Sequence, residues 1–183
     1  MPHLAKLTGL KSLHLRATSA DDSIIPYLEK LPKLQYVNFD TTDITGGGLA
    51  KYKNLKSLKE LHFGYNKGMN ELLLGLKDSN KLELFYLANP DQPFTVEHAK
   101  LLATCKKLRI LDLQASQLND QSLMILSALP NIRSIDASGC SVTKEAIKRV
   151  ETEHADKHLV IKMKSTPQDP AAFDNELPAD WIK

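Results

Sequence analysis

Apolar residues recur along this chain in a fixed frame. Six segments fit L-x-x-L-x-L-x-x followed by a small or polar closing residue. They run from Leu10 to Thr18, Leu34 to Thr42, Leu58 to Asn66, Leu82 to Pro90, Leu108 to Ser116 and Ile132 to Cys140. Their starts lie 24, 24, 24, 26 and 24 residues apart, which marks an internal repeat. A weaker seventh copy is expected at the same spacing, with Leu159 and Ile161 in the fourth and sixth positions and Asp156 in place of the first apolar residue. The alternation within each segment predicts a short strand with one buried face.

A second pattern follows each strand. Seven, ten and thirteen residues after the closing position stand Ile25, Leu28 and Leu31, then Leu49, Tyr52 and Leu55, then Leu123, Leu126 and Leu129. That spacing lines one face of a helix. Three residues after the closing position come Asp21, Thr45, Asn119 and Thr143, all good N-cap types. In the 26-residue unit the predicted cap is Thr95, with the two extra residues bulging in the loop from Asp91 to Phe94. In the third unit the equivalent residue is Met69, and Asn70 is the alternative cap.

Each unit is therefore strand, turn, helix and return. One unit cannot bury its own apolar stripe, but stacked units can, so the expected architecture is an α/β solenoid. The two patterns together resemble the leucine-rich repeat, over about residues 1–164. The resemblance implies a right-handed arc with parallel strands on the concave side and short helices on the convex side. Thr42-Asp43-Ile44-Thr45-Gly46-Gly47-Gly48-Leu49 is similar to the T-x-I-T-D-x-G-L signature of bacterial arrays related to the cysteine-containing repeats of F-box-type proteins. Cys140 at a closing position and Cys105 late in a helix occupy the two places where that subtype carries cysteine.

The ends read differently. Met1, Leu4 and Leu7 continue the helix-face register backwards, so the chain is expected to begin inside a unit whose strand is missing, with no polar N-terminal cap and a tendency to self-associate end to end. Residues 165–183 form a separate proline-bearing tail, in which Phe173, Leu177 and Trp181 are expected to cover the last repeat as its C-terminal cap.

Composition changes the picture little. Hydrophobic residues make up 42% and charged residues 25%, which excludes wholesale disorder. A net charge of +2 is too balanced to point to nucleic acid or a membrane surface. No apolar run approaches the length of a membrane span, and no signal-peptide pattern opens the chain. Two cysteines are too few for a disulfide scaffold and read as inert packing groups. Lys51, Lys53, Lys56 and Lys59 read as a solvated face. Gly46-Gly47-Gly48 lacks the lysine and spacing of a phosphate loop and reads as a turn. Neither a zinc spacing nor a nucleophile motif is present, and no cofactor is expected.

Candidate chemistry lies on the strand face turned away from the helices, where alternate side chains project. The third-position column reads Ser12, Tyr36, Glu60, Leu84, Ile110, Ser134 and His158; the fifth reads His14, Asn38, His62, Tyr86, Asp112, Asp136 and Val160; the seventh reads Arg16, Asp40, Gly64, Ala88, Gln114, Ser138 and Lys162. Tyr36, Leu84, Tyr86 and Ile110 are expected to be exposed, with Tyr65 nearby, and exposed groups of this kind mark interaction surfaces. Tyr86→Ala should accordingly leave stability almost unchanged. His62 and Glu60, two residues apart on one strand, read as separate contact residues. Asp112 and Asp136 are neighbours at about 4.8 Å. A metal or acid/base role at that pair is the minor reading, because no further carboxylate in the columns on either side of the pair completes an oxygen shell. The resemblance implies a non-catalytic module that binds a protein through the concave residues Tyr36, His62, Leu84, Tyr86, Ile110, Asp112 and Asp136. The alternatives are a ligand or enzymatic site at the two aspartates, or a regulatory array within a larger enzyme.

Overall fold

The computed structural model describes residues 3–163. Seven three-residue strands form one parallel sheet in chain order: β1 (Ser12–His14), β2 (Tyr36–Asn38), β3 (Glu60–His62), β4 (Leu84–Tyr86), β5 (Ile110–Asp112), β6 (Ser134–Asp136) and β7 (Val160–Lys162). Each strand is linked to the next through a helix: α1 (Ile25–Leu28), α2 (Gly46–Ala50), α3 (Met69–Leu76), α4 (Val96–Leu102), α5 (Asp120–Ser127) and α6 (Lys144–Glu153). The register from β1 to β6 follows the sequence spacing, so Leu13, Val37, Leu61, Phe85, Leu111 and Ile135 align. These residues share one hydrophobic core with the helix-face residues, which places the helices on one side of the sheet.

The seventh unit departs from expectation. Ile161, not Leu159, pairs with Ile135, so Val160 occupies the third position and Lys162 the fifth. The α6 helix is the longest of the six, and a 3-10 turn (Ala155–Lys157) and the left-handed residue His158 (φ 51°) follow it. The extra length is spent before the strand, which slides β7 two residues along the chain.

Local rules explain the turns. The residue before each closing position has positive φ in all six units: Ala17, Thr41, Tyr65, Asn89, Ala115 and Gly139. Four of the six closing side chains then donate to backbone carbonyls near the bend. Thr18 reaches Leu15 O at 2.7 Å, Thr42 reaches Phe39 O at 2.7 Å, Asn66 reaches Phe39 O at 3.0 Å and the Cys140 thiol reaches Leu113 O at 3.1 Å. A hydroxyl, amide or thiol at this position thus ties the bend to a carbonyl of its own or the preceding unit. The Cys105 thiol likewise donates to Leu76 O, and burial pushes its pKa up, in keeping with a packing role.

The predicted caps Asp21, Thr45, Asn119 and Thr143 all accept a backbone N–H of the first turn. In the third unit neither Met69 nor Asn70 is the cap. Gly68 takes that place in the left-handed region (φ 88°), and Asp91 of the next unit accepts from the Gly68 and Met69 N–H groups. The two extra residues of the fourth unit thus serve the third. Phe94 beyond them is buried in the core. Gly46-Gly47-Gly48 forms the turn that starts α2. Lys51, Lys53 and Lys56 are exposed and Lys59 half-buried. Leu4 packs against the core while Leu7 is 51% exposed. The capping role given to Phe173, Leu177 and Trp181 lies outside the described residues.

Candidate functional site on the open face of the sheet

The strand face opposite the helices is less exposed than side-chain alternation alone suggests. Leu84, Tyr86 and Ala88 are buried and form a small apolar cluster with the half-buried Ile110, separate from the main core. Tyr86 is only 5% exposed. Its ring stacks on His62, with centroids 5.3 Å apart, and lies across Gly64, where a Cβ would come within 2.4 Å of Cε1. The expectation of exposed Leu84 and Tyr86 is therefore corrected. They face the predicted side, but neighbouring strands cover them, and Tyr86→Ala removes packing rather than a detachable contact. Tyr36 and Ile110 are half-buried, and Tyr65 is exposed.

His62 is also buried, at 5% exposure. Its Nε2 is 2.7 Å from Glu60 Oε1 and its Nδ1 3.8 Å from Asp40 Oδ2. Glu60 and His62 are thus one hydrogen-bonded pair and not separate contacts. They are two apart on one strand, and long side chains on the same face lean together across that gap. Asp40 completes the cluster from β2's far end, accepting the Gly64 N–H at 2.6 Å. The spacing placed Asp40 and Glu60 in the columns beside His62 but did not join the three. The usable signal was their adjacency to His62 in the aligned columns.

Burial pushes the Asp40 carboxyl up to about 6, against the pull of His62 and the Gly64 N–H. The native state therefore holds this proton more tightly than the unfolded chain does. The stability it contributes grows as pH falls from 6 towards 3.8 and is lost as pH rises through 6. Asp40→Asn should raise stability at neutral pH by about 2–3 kcal/mol and lose that advantage near pH 4. Urea titrations at the two pH values check this. An equal gain at both would mean that packing, not charge, is responsible.

On the next strands, Asp112 and Asp136 stand in register and Lys162 follows Asp136. Both aspartates are half-buried. Asp112 accepts from Gln114 through both oxygens, and Asp136 Oδ1 accepts the Ser138 N–H at 3.0 Å. Asn38 makes the equivalent bond to the Asp40 N–H, also at 3.0 Å. Burial, and next the Asp136 charge, push the Asp112 carboxyl up to about 6. The Tyr86 phenol is raised well above its ordinary value by burial first, then by the Asp40 and Asp112 charges. Among the described residues, no three His, Cys, Asp or Glu side chains gather to hold a metal ion.

No family model matches the chain, and no curated protein does. A solved structure does: an internalin (inlF) from Listeria monocytogenes superposes with a TM-score of 0.59 at 19% identity, over 90% of this chain and 50% of that one. The fold is a leucine-rich-repeat solenoid. At this identity the likeness concerns the fold, and the chain spans half the length of the internalin. In a leucine-rich-repeat frame, Tyr36, His62, Leu84, Tyr86, Ile110, Asp112 and Asp136 all belong to the strand surface. The structure divides them into a covered set (His62, Leu84, Tyr86) and an accessible set (Tyr36, Ile110, Asp112, Asp136).

Proposed function

We propose that the chain is a non-catalytic binding module that recognises a protein through the open strand face. The observation that carries this reading is the accessible set itself. Tyr36, Ile110, Asp112 and Asp136, with the exposed Tyr65, put aromatic, aliphatic and anionic groups on one rigid surface. Strands hold neighbouring columns about 4.8 Å apart, so little ordering cost attends binding. The likeness to an internalin fold is consistent with such a role. The subtype reading, bacterial T-x-I-T-D-x-G-L arrays, is supported by the thiol of Cys140 serving as a closing donor and by the buried Cys105.

Photo-crosslinking tests the face. Benzoylphenylalanine placed singly at Tyr36 and Ile110 should trap a discrete protein partner. The same group at Lys51 or Lys106, exposed on the helix side, should not. Adducts confined to Lys51 and Lys106 would transfer the interface to the helices and overturn the reading.

A further inference from the structure

The Asp112–Asp136 pair is costly to the fold and is not needed by it. Like charges directly opposite on neighbouring strands repel, and Asp112 is half-buried besides. At this fifth position Asp112, Asp136 and Asn38 each accept the N–H of the seventh residue, and Asn38 does so for Asp40 at 3.0 Å without a charge. Two charges therefore stand where amides would serve. The surrounding face has the same bias. Its columns carry Asp40, Glu60, Asp112 and Asp136 against Arg16 and Lys162, in a chain whose net charge is +2. Negative charge prevails on and just beneath this face, and the half-buried Ile110 sets apolar surface beside the acidic pair.

We propose that this stretch of the open face seats a lysine- or arginine-bearing extended segment of the partner protein, with a cationic head between Asp112 and Asp136 and its aliphatic stem along Ile110. The inference rests on the protein-binding reading above and specifies the partner's chemistry. A cation there relieves the repulsion between the two carboxylates, so binding recovers energy that the free protein stores. The long stem of such a residue lies well on apolar surface while its head stays polar. The groups facing Asp112 are Tyr86 on β4, Gln114 on its own strand, Asp136 on β6 and Lys162 on β7. Lys162 lowers the Asp112 carboxyl only in part, for burial and Asp136 still hold it near 6. A bound cation requires that carboxyl ionised, so affinity must fall as pH drops through 6 while lysine stays charged.

The probe is a dye-labelled decapeptide alternating lysine and threonine, with a glutamate–threonine counterpart, followed by fluorescence anisotropy on the full chain. The lysine peptide should bind, the glutamate peptide should not, and Asp112→Asn with Asp136→Asn should weaken binding about tenfold or more. Lowering the pH from about 7.5 to about 5 should weaken native binding several-fold and leave the double variant unchanged. The backbone amides of Gln114 and Ser138, which bond to the two carboxylates, should shift in the NMR spectrum on titration. Unaltered affinity in the double variant overturns the proposal. So does an equal loss in a helix-side control, Glu97→Gln with Glu145→Gln, or a rise in the melting midpoint with calcium or magnesium that the double variant lacks, which would make the pair a metal site. If open-face crosslinks persist while the lysine probe fails, the binding face stands and the cationic chemistry alone falls.

Discussion

Gly46→Ala should lower the unfolding free energy by about 3 kcal/mol or more, as overpacking of a rigid contact does. A Cβ at Gly46 would lie 1.7 Å from Gly68 O and 2.6 Å from Gly68 C. Both are backbone atoms, so no side chain can rotate out of the way. The contact is held from both sides. The Gly46 N–H donates to Lys67 O at 2.8 Å, and Gly68 is fixed by its left-handed conformation and by Asp91. To admit a methyl group the second and third units must separate, wetting Leu49 and Leu72, each now 0% exposed. Gly47 is the internal control. A Cβ there meets only Thr45 Oγ1 at 3.7 Å, an ordinary contact, so Gly47→Ala should be neutral or gain about 0.5–1 kcal/mol from reduced unfolded-state entropy. Urea unfolding of the two neighbouring variants measures the difference. Similar midpoints would mean that the units are not seated against each other at Gly46.

The fold was legible because its two periodicities have independent physical causes: alternation in the strands and one apolar face on the return. Both had to agree on a repeat length, and for β1 to β6 they did. The seventh strand was misplaced because spacing reports how many residues separate two units but not where a surplus is spent. In the fourth unit the surplus is a loop whose Asp91 caps its neighbour; in the last it extends α6 and the turn after it. The site was legible in direction and not in depth. Alternation correctly assigned Tyr86 and His62 to the open face, yet it carries no information on how far strand neighbours cover a side chain. That depends on pairings such as Tyr86 over Gly64 and Glu60 on His62, where residue size in the adjacent column decides burial. The left-handed turn residues were equally hidden. Only Gly139 and Asn89 of the six are types that favour positive φ, and Ala17, Thr41, Tyr65 and Ala115 adopt it because the strand-to-helix bend demands it.

Leu111→Ala should cost about 2–5 kcal/mol, the range for a buried leucine whose cavity cannot fully collapse. Leu111 is 0% exposed, paired in register with Phe85 and Ile135 on its two sides. In a stacked array each unit is stabilised by its own core and by the interfaces with its neighbours. A central truncation therefore weakens one unit and both its interfaces. Leu13 occupies the same fourth position in β1, but it is half-buried and pairs on one side, with Val37. Leu13→Ala should cost less than half as much, with its loss confined to the first unit. Hydrogen exchange separates the two cases. Leu111→Ala should raise exchange across β4, β5 and β6 together, whereas Leu13→Ala should affect β1 and leave β4 to β6 protected. Equal costs for both variants would mean that the array unfolds as a single unit with no end effect, and the nearest-neighbour account of its stability would have to be abandoned.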